Sequence, residues 1–319
     1  MTDFCGLRLA HPVINGSGTF DAIAARRAFG DAIDAAFPFS AFVSKTITLA
    51  PREGNPPPRL WEAAGGMLNS IGLPNKGLEG YLLEDLPELA RLPVPLITNV
   101  MGSTVEEVAA LVEPLGEREE VAAIELNVSC PNVRTGLDLG ADPVELGRLL
   151  RAVRPLTATP LIVKLTPNTA DVASAAVAAE EAGADAVSLI NTLRGMAMAP
   201  GGAGRPWLGA RTGGLSGPAV RHVALAQVAA VASRVAVPVV GMGGVTSGRD
   251  ALALLHAGAT LVAVGTESFR DPAAGTRIAS ELSELAANGQ VSGECNPSRS
   301  GETPANRHFT VKQAERSST

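Results

Sequence analysis

The sequence predicts an α/β fold in which eight parallel strands close into a single (β/α)₈ barrel, the TIM barrel, with long rim loops over its C-terminal face. Three observations carry that expectation. Eight short apolar segments recur along the chain, and most are followed by a turn bearing Gly, Asn, Ser or Thr. Stretches with helical periodicity separate them, the alternation that builds right-handed βαβ units and a parallel sheet. The composition is 46% hydrophobic but only 3% aromatic, so the core is built of Ala, Val, Leu and Ile, as buried parallel strands and their covering helices are. Eight units in one chain favour a closed barrel; the runner-up is a doubly wound sheet with a second domain.

In chain order the strand segments are Val13–Asn15, Ala41–Ser44, Leu96–Thr98, Ala122–Leu126, Leu161–Val163, Ala186–Leu189, Val239–Gly241 and Leu261–Val264. Ser103 and Thr104 start a helix that runs to Leu115, with Glu106 and Glu107 early where they favour the N-terminal dipole. Asp142-Pro143 opens the next, to Arg154, with Pro at the first helical position. Further helices are expected over Ala170–Ala182, Pro218–Ser233, Ser247–Ala257 and Asp271–Asn288. The pairs Ala182-Gly183 and Ala257-Gly258 fit a glycine just past a helix end. Two stretches, Pro51–Leu92 and Gly195–Ser216, exceed ordinary barrel connections, and long loops in a compact domain are usually functional. The barrel is expected to occupy residues 1–288, and the polar residues 289–319 to form a flexible tail.

The net charge of −6 is spread over interspersed acidic and basic residues, with no basic stripe for nucleic acid or a membrane surface. The N-terminus lacks the charged start and apolar region of a signal peptide. No uncharged run approaches the ~20 apolar residues of a membrane helix. These features predict a cytoplasmic protein. Cys5, Cys130 and Cys295 are too few for an iron–sulfur cluster and show no CxxC pair, and the four histidines have no metal-ligand spacing; no metal is expected.

Barrel enzymes carry their chemistry on the loops after the strands. Just past the segments lie Ser17 and Gly18, Lys45 and Thr46, Asn99, Asn127 to Asn132, Lys164, Asn191 and Thr192, Gly243 and Gly244, and Gly265 and Thr266. Any one of these could simply end a strand or cap a helix. The two lysines are harder to explain that way, because lysine beside an apolar strand is rarely tolerated without a partner. The seventh and eighth exits, GMGGVTSG and VGTES, are loops whose bare glycines let backbone N–H groups approach a phosphate. Neither GxGxxG nor GxxxxGK[ST] occurs, so a Rossmann unit and a P-loop are not indicated.

At IELNVSCPN (Ile124–Asn132) the sequence resembles the class 1 dihydroorotate dehydrogenases. The resemblance continues through KTIT (Lys45–Thr48), EGNPPPR (Glu53–Arg59), MLNSIGLPN (Met67–Asn75), VKLTPN (Val163–Asn168), INTLRG (Ile190–Gly195), TGGLSGPA (Thr212–Ala219), GMGGV (Gly241–Val245) and VGT (Val264–Thr266). It implies an FMN-binding barrel that oxidises dihydroorotate to orotate in pyrimidine biosynthesis. Its phosphate would lie on Gly243, Gly244, Gly265 and Thr266 near Gly217, and Ser17, Lys45, Thr46, Asn99, Asn127, Lys164 and Ile190 match the other flavin contacts. Lys164 would stand at the flavin N1/O2 edge, where negative charge accumulates on reduction. Lys45, Asn69, Ser70, Ile71, Gly72, Leu73, Asn127, Asn132, Asn191 and Thr192 match the substrate positions. That set suits a planar anion with ring amides, since asparagine donates and accepts from one side chain. By resemblance Cys130 is the catalytic base, removing the C5 proton while C6 delivers hydride to flavin N5. A thiol with a pKa of about 8.5 is suited to that task if nearby lysines lower it.

INTLRG and TGGLSG look more like the NAD-linked subclass, whose barrel forms a homodimer core with a separate iron–sulfur flavoprotein in a heterotetramer. REGNPPPR and SIGLPN are also close to the fumarate-using subclass, and the Gly201–Gly204 rim matches neither. Two rivals stay open: a flavin barrel acting on another reduced pyrimidine, and a non-catalytic flavin-binding subunit. The lysine and asparagine set aimed at a carboxylate counts against the first, and the presence of Cys130 and Lys164 against the second.

Overall fold

The structure, a computed structural model, describes residues 1–129, 139–201 and 204–288. Its parallel strands are β1 (Val13–Asn15), β2 (Phe42–Val43), β3 (Leu96–Val100), β4 (Val121–Asn127), β5 (Leu161–Lys164), β6 (Ala186–Leu189), β7 (Val239–Met242) and β8 (Leu261–Val264). Each pairs with the next in sequence from β2 to β8, and β8 pairs with β1. Between β1 and β2 a side chain completes the ring. Asn15, fully buried, donates from Nδ2 to the Val43 carbonyl at 2.8 Å. Its Oδ1 accepts the Val43 N–H at 2.8 Å. A primary amide presents the same donor and acceptor as a peptide unit, so it replaces a rung of the ladder. The expected (β/α)₈ barrel is the observed fold.

The flanking helices are α1 (Ala22–Phe29), α2 (Gly77–Gly80, prolonged by a π-helical turn over Tyr81–Asp85), α3 (Val105–Gly116), α4 (Pro143–Val153), α5 (Val172–Glu181), α6 (Arg221–Ala232), α7 (Gly248–His256) and α8 (Ala274–Ala287). The starts of α1, α3, α4, α5 and α7 are fixed by side-chain caps. Thr104 Oγ1 accepts from Glu107 N at 3.2 Å, and Asp142 Oδ1 from Val144 N at 3.0 Å. Gly183 and Gly258 take φ of 93° and 103° just beyond α5 and α7, as the sequence predicts. Leu, Val and Ala on the inner helix faces pack on the outer strand faces in one continuous core.

A smaller cluster fills the barrel itself, with Ile14, Val43, Ile97, Ala123, Ile162, Ala186, Val240 and Ala263 among its members. A hairpin of Thr2–Phe4 and Leu7–Leu9, not expected from the sequence, adds Phe4 and Leu9 to this cluster. Cys5, at its turn, contacts the carbonyl of Asp185, which immediately precedes β6, so the hairpin plugs the N-terminal end.

The two long rim stretches are not purely loops. Leu193–Gly195, Gly213–Ser216, Gly66–Asn69 and Leu60–Ala63 form, in that order, a four-stranded antiparallel sheet. Trp61 and Trp207 meet edge-on at 5.3 Å between centroids beside Leu68, Ala197 and Leu208, which gives this sheet its own small core. Among the described residues no helix is long and apolar enough to cross a membrane.

Candidate active site

The C-terminal ends of the strands open into a cavity of about 820 Å³, of a size that suits a cofactor with a small substrate. The rim sheet forms its roof, with Leu60, Met67, Asn69 and Ser216 facing it. Of the expected flavin positions, Ser17, Lys45, Thr46, Asn127, Lys164, Ile190, Gly217, Gly243, Gly244, Gly265 and Thr266 line this one space. So do the expected substrate positions Asn69, Ile71, Gly72, Leu73, Asn191 and Thr192. Ser70 and Asn99 sit behind the wall. The Ser70 hydroxyl accepts from Asn55 Nδ2 at 2.9 Å, and Asn99 is fully buried. Cys130 and Asn132 lie outside the described residues, as does the 289–319 segment.

One end of the cavity is made of backbone. Gly243 and Gly244 have φ of 134° and 72°, and a Cβ on either would lie 2.6 Å from Ala224 Cβ or 2.7 Å from Arg221 Cβ. Glycine is therefore required here by the close packing of α6, quite apart from any ligand. Among the described residues the backbone N–H groups of Gly243, Gly244, Gly265 and Thr266 have no protein acceptor. Thr266 Oγ1 lies 2.8 Å from Ser216 Oγ, which ties the β8 exit to the roof. Uncommitted N–H groups converging from two strand exits form a ready anion site.

The other end is cationic. Lys45 is half-buried, and burial holds its pKa below the ordinary lysine value, an effect partly opposed by the Asp21 carboxylate. Lys164 is buried, with Asn127 of β4 and Ser188 of β6 as its neighbours in register. Among the described residues neither ammonium has an ion pair or a hydrogen-bond acceptor. Two lysines this far out of water with no such acceptor for either ammonium leave room for a ligand that supplies an anion. Amide groups surround them. Asn191 Nδ2 donates to Asn127 Oδ1 at 3.2 Å and to Ser129 Oγ at 2.9 Å, and Asn191 Oδ1 accepts the Thr192 N–H at 2.9 Å.

Beneath this layer lies a residue that the sequence reading passed over. Glu125 is 3% exposed inside the barrel, where Oε2 accepts from Asn99 Nδ2 at 2.5 Å and Oε1 from Ser188 Oγ at 2.7 Å. Because a carboxylate only accepts, it fixes the Asn99 amide with its nitrogen inward. Asn99 Oδ1 is left buried with no partner. A charge in the middle of an apolar strand was the clue, by the same logic that singled out the lysines.

The arrangement suits a planar ligand that brings a phosphate to one end and an anionic or carbonyl-rich edge to the other. A family model described as dihydroorotate dehydrogenase matches residues 1–286. The catalytic subunit of dihydroorotate dehydrogenase B (NAD(+)) from Pelobacter propionicus is 49% identical over 278 residues, covering 87% of this chain and 90% of that protein. The protein of the same name from Geobacter metallireducens is 45% identical over 293 residues, covering 91% and 93%. That from Desulforudis audaxviator is 44% identical over 280 residues, covering 88% and 90%.

Proposed function

The chain belongs to the dihydroorotate dehydrogenase family, and from that premise we propose that it oxidises dihydroorotate to orotate on a bound FMN in pyrimidine biosynthesis. The observation that carries the reading is that one cavity holds both unpaired backbone N–H groups and two lysines whose ammonium groups, among the described residues, have no hydrogen-bond acceptor. A flavin that carries a phosphate, beside a carboxylated pyrimidine, answers both ends.

Gly243, Gly244, Gly265 and Thr266 would hold the phosphate through backbone donors, with Gly217 lining the same cavity. Ser17, Thr46, Asn127 and Ile190, which line the cavity, would frame the ring system, with the expected flavin position Asn99 in the layer behind them. Bound FMN supplies the hydride acceptor. Lys164 would offer its ammonium to the part of the flavin that gains negative charge on reduction, a preorganised charge that needs no rearrangement. Lys45 captures the substrate carboxylate in a site dry enough to strengthen the attraction. Asn69, Asn127, Asn132, Asn191 and Thr192 pair with the ring amides, and Ile71 to Leu73 complete the wall around them, backed by Ser70. Cys130 takes the C5 proton as its base. The proton and the hydride leave from adjacent carbons, so the ring gains its double bond with charge balanced.

The names of the relatives favour the NAD-linked form, in which a homodimer of this chain passes electrons to NAD through an iron–sulfur flavoprotein subunit in a cytoplasmic heterotetramer. The purified chain alone is expected to reduce NAD slowly and to speed up when that partner is added. Full fumarate-dependent turnover by the lone chain would refute the assignment of acceptor.

The chemistry is tested without oxygen by adding dihydroorotate to the yellow protein. Bleaching by dihydroorotate but not dihydrouracil is expected, and the Cys130→Ala variant is expected to stay yellow at neutral pH. Equal bleaching by dihydrouracil would refute the substrate, and rapid bleaching of Cys130→Ala would refute the base.

A further inference from the structure

The loop after β7, from Gly243 to Ser247, is held from behind by three helices. Asp250, in the first turn of α7 and 9% exposed, accepts through Oδ2 from Thr246 N at 3.0 Å and from Thr246 Oγ1 at 2.8 Å. Its Oδ1 accepts from Nη1 of Arg221, the first residue of α6. Arg277 of α8 donates from Nη1 to the Thr246 carbonyl at 3.0 Å. Gly243, Gly244 and Thr246 line the cavity, whereas Arg221, Asp250 and Arg277 do not. These charged groups therefore grip the far side of the loop whose near side offers free N–H groups.

We propose that the Arg221–Asp250 pair is a positioning brace that fixes the β7 loop for a phosphate and thereby sets the preference for a phosphorylated over an unphosphorylated flavin. The inference rests on the FMN reading above. A phosphate held by backbone dipoles gains most when those dipoles are fixed before it arrives. Asp250 fixes Thr246 through two bonds, and Arg221 holds Asp250 while packing its own Cβ against Gly244. Arg221 also cancels the charge of Asp250. Without it, an anion would stand behind a thin glycine loop that must accept another anion.

Two substitutions separate positioning from plain charge. Arg221→Gln removes a cation and Asp250→Asn removes an anion, so net charge alone would weaken phosphate binding in the first and strengthen it in the second. A brace that works through geometry predicts a loss in both. The flavin-stripped chain is titrated with FMN and with riboflavin, following the quenching of flavin fluorescence. Both variants are expected to lose about tenfold in FMN affinity, roughly one charge-assisted hydrogen bond, while riboflavin affinity stays within about threefold. Arg221→Lys, which keeps the charge and repacks least, is expected to fall between them and the parent.

If the parent chain binds FMN and riboflavin equally, the phosphate site itself is refuted. If the parent prefers FMN and the variants keep that preference, the brace is refuted. A gain of FMN affinity in Asp250→Asn, or equal losses for both ligands in every variant, would also overturn it.

Discussion

Removing the Ser188 hydroxyl tests whether Glu125 organises the layer beneath the two lysines. Ser188 is fully buried and its Oγ donates to Glu125 Oε1 at 2.7 Å, while Asn99 Nδ2 serves the other oxygen. A hydrogen bond to a charged acceptor contributes about 1.5–3 kcal/mol, against about 0.5–1.5 for a neutral one. Ser188→Ala deletes one oxygen and leaves little cavity, so its cost is expected near the charged figure, about 2 kcal/mol. In a Glu125→Gln background, the amide oxygen faces Asn99 and the amide nitrogen faces Ser188, whose hydroxyl can turn to accept. The introduced amide and the Ser188 hydroxyl stay paired there through a neutral bond, so the same Ser188→Ala change is expected to cost only about 1 kcal/mol. The cycle therefore predicts a coupling of about 1 kcal/mol. For a chain of this size it reads as a melting temperature shift of about 1.5 °C per kcal/mol, at fixed flavin saturation because bound ligand stabilises by mass action. Equal costs of Ser188→Ala in the two backgrounds would refute Glu125 as the charged acceptor that organises this layer.

Two further outcomes follow from the titrating groups. The pKa of Lys45 lies below its ordinary 10.5, from burial first, with Asp21 opposing. The folded chain therefore binds fewer protons than the unfolded one between the lowered value and 10.5. Through that window stability rises with pH while the hold on a substrate carboxylate falls. The alkaline limb of kcat/KM for dihydroorotate should thus set in below 10.5 and move upward in Lys45→Arg; a limb at or above 10.5 in the parent chain would contradict it. Burial, and secondarily Asp185, push the Cys5 thiol up to about 12. Iodoacetamide at pH ~8 should therefore inactivate the folded protein with Cys5 still unmodified by peptide mass, because thiolate is the reactive form. Labelling of Cys5 at the rate of a free thiol would contradict that environment.

The barrel was legible because its strands are short apolar runs with polar exits, and because Thr104, Asp142 and Ser247 announce their helices with side-chain caps. The roof was not, because its strands carry few of the residues that favour sheets. Gly213-Gly214-Leu215-Ser216 becomes a strand through tertiary contact. It pairs with Gly66–Asn69 so closely that a Cβ on Gly66 would lie 2.0 Å from the Ser216 carbonyl oxygen. The N-terminal hairpin has strands of three residues, too short to show a period. Glu125 was hidden for the opposite reason: its neighbours spell a strand so clearly that the carboxylate among them was absorbed into the pattern.

Asparagine shows where residue type stops being informative. Asn15, Asn99 and Asn127 occupy comparable places at the ends of β1, β3 and β4. Asn15 has both amide atoms committed to the Val43 backbone and closes the barrel. Asn99 commits its nitrogen to Glu125 and leaves its oxygen without a partner. Asn127 faces the cavity and shares its oxygen with Asn191. What separates scaffold from site is whether an unpaired strand edge lies within reach of the amide, and that is decided by the closure of the sheet. A one-dimensional reading can mark strand exits as a population. It takes the ring of strands, with its single side-chain rung between β1 and β2, to say which amides are already committed and which remain free for a ligand.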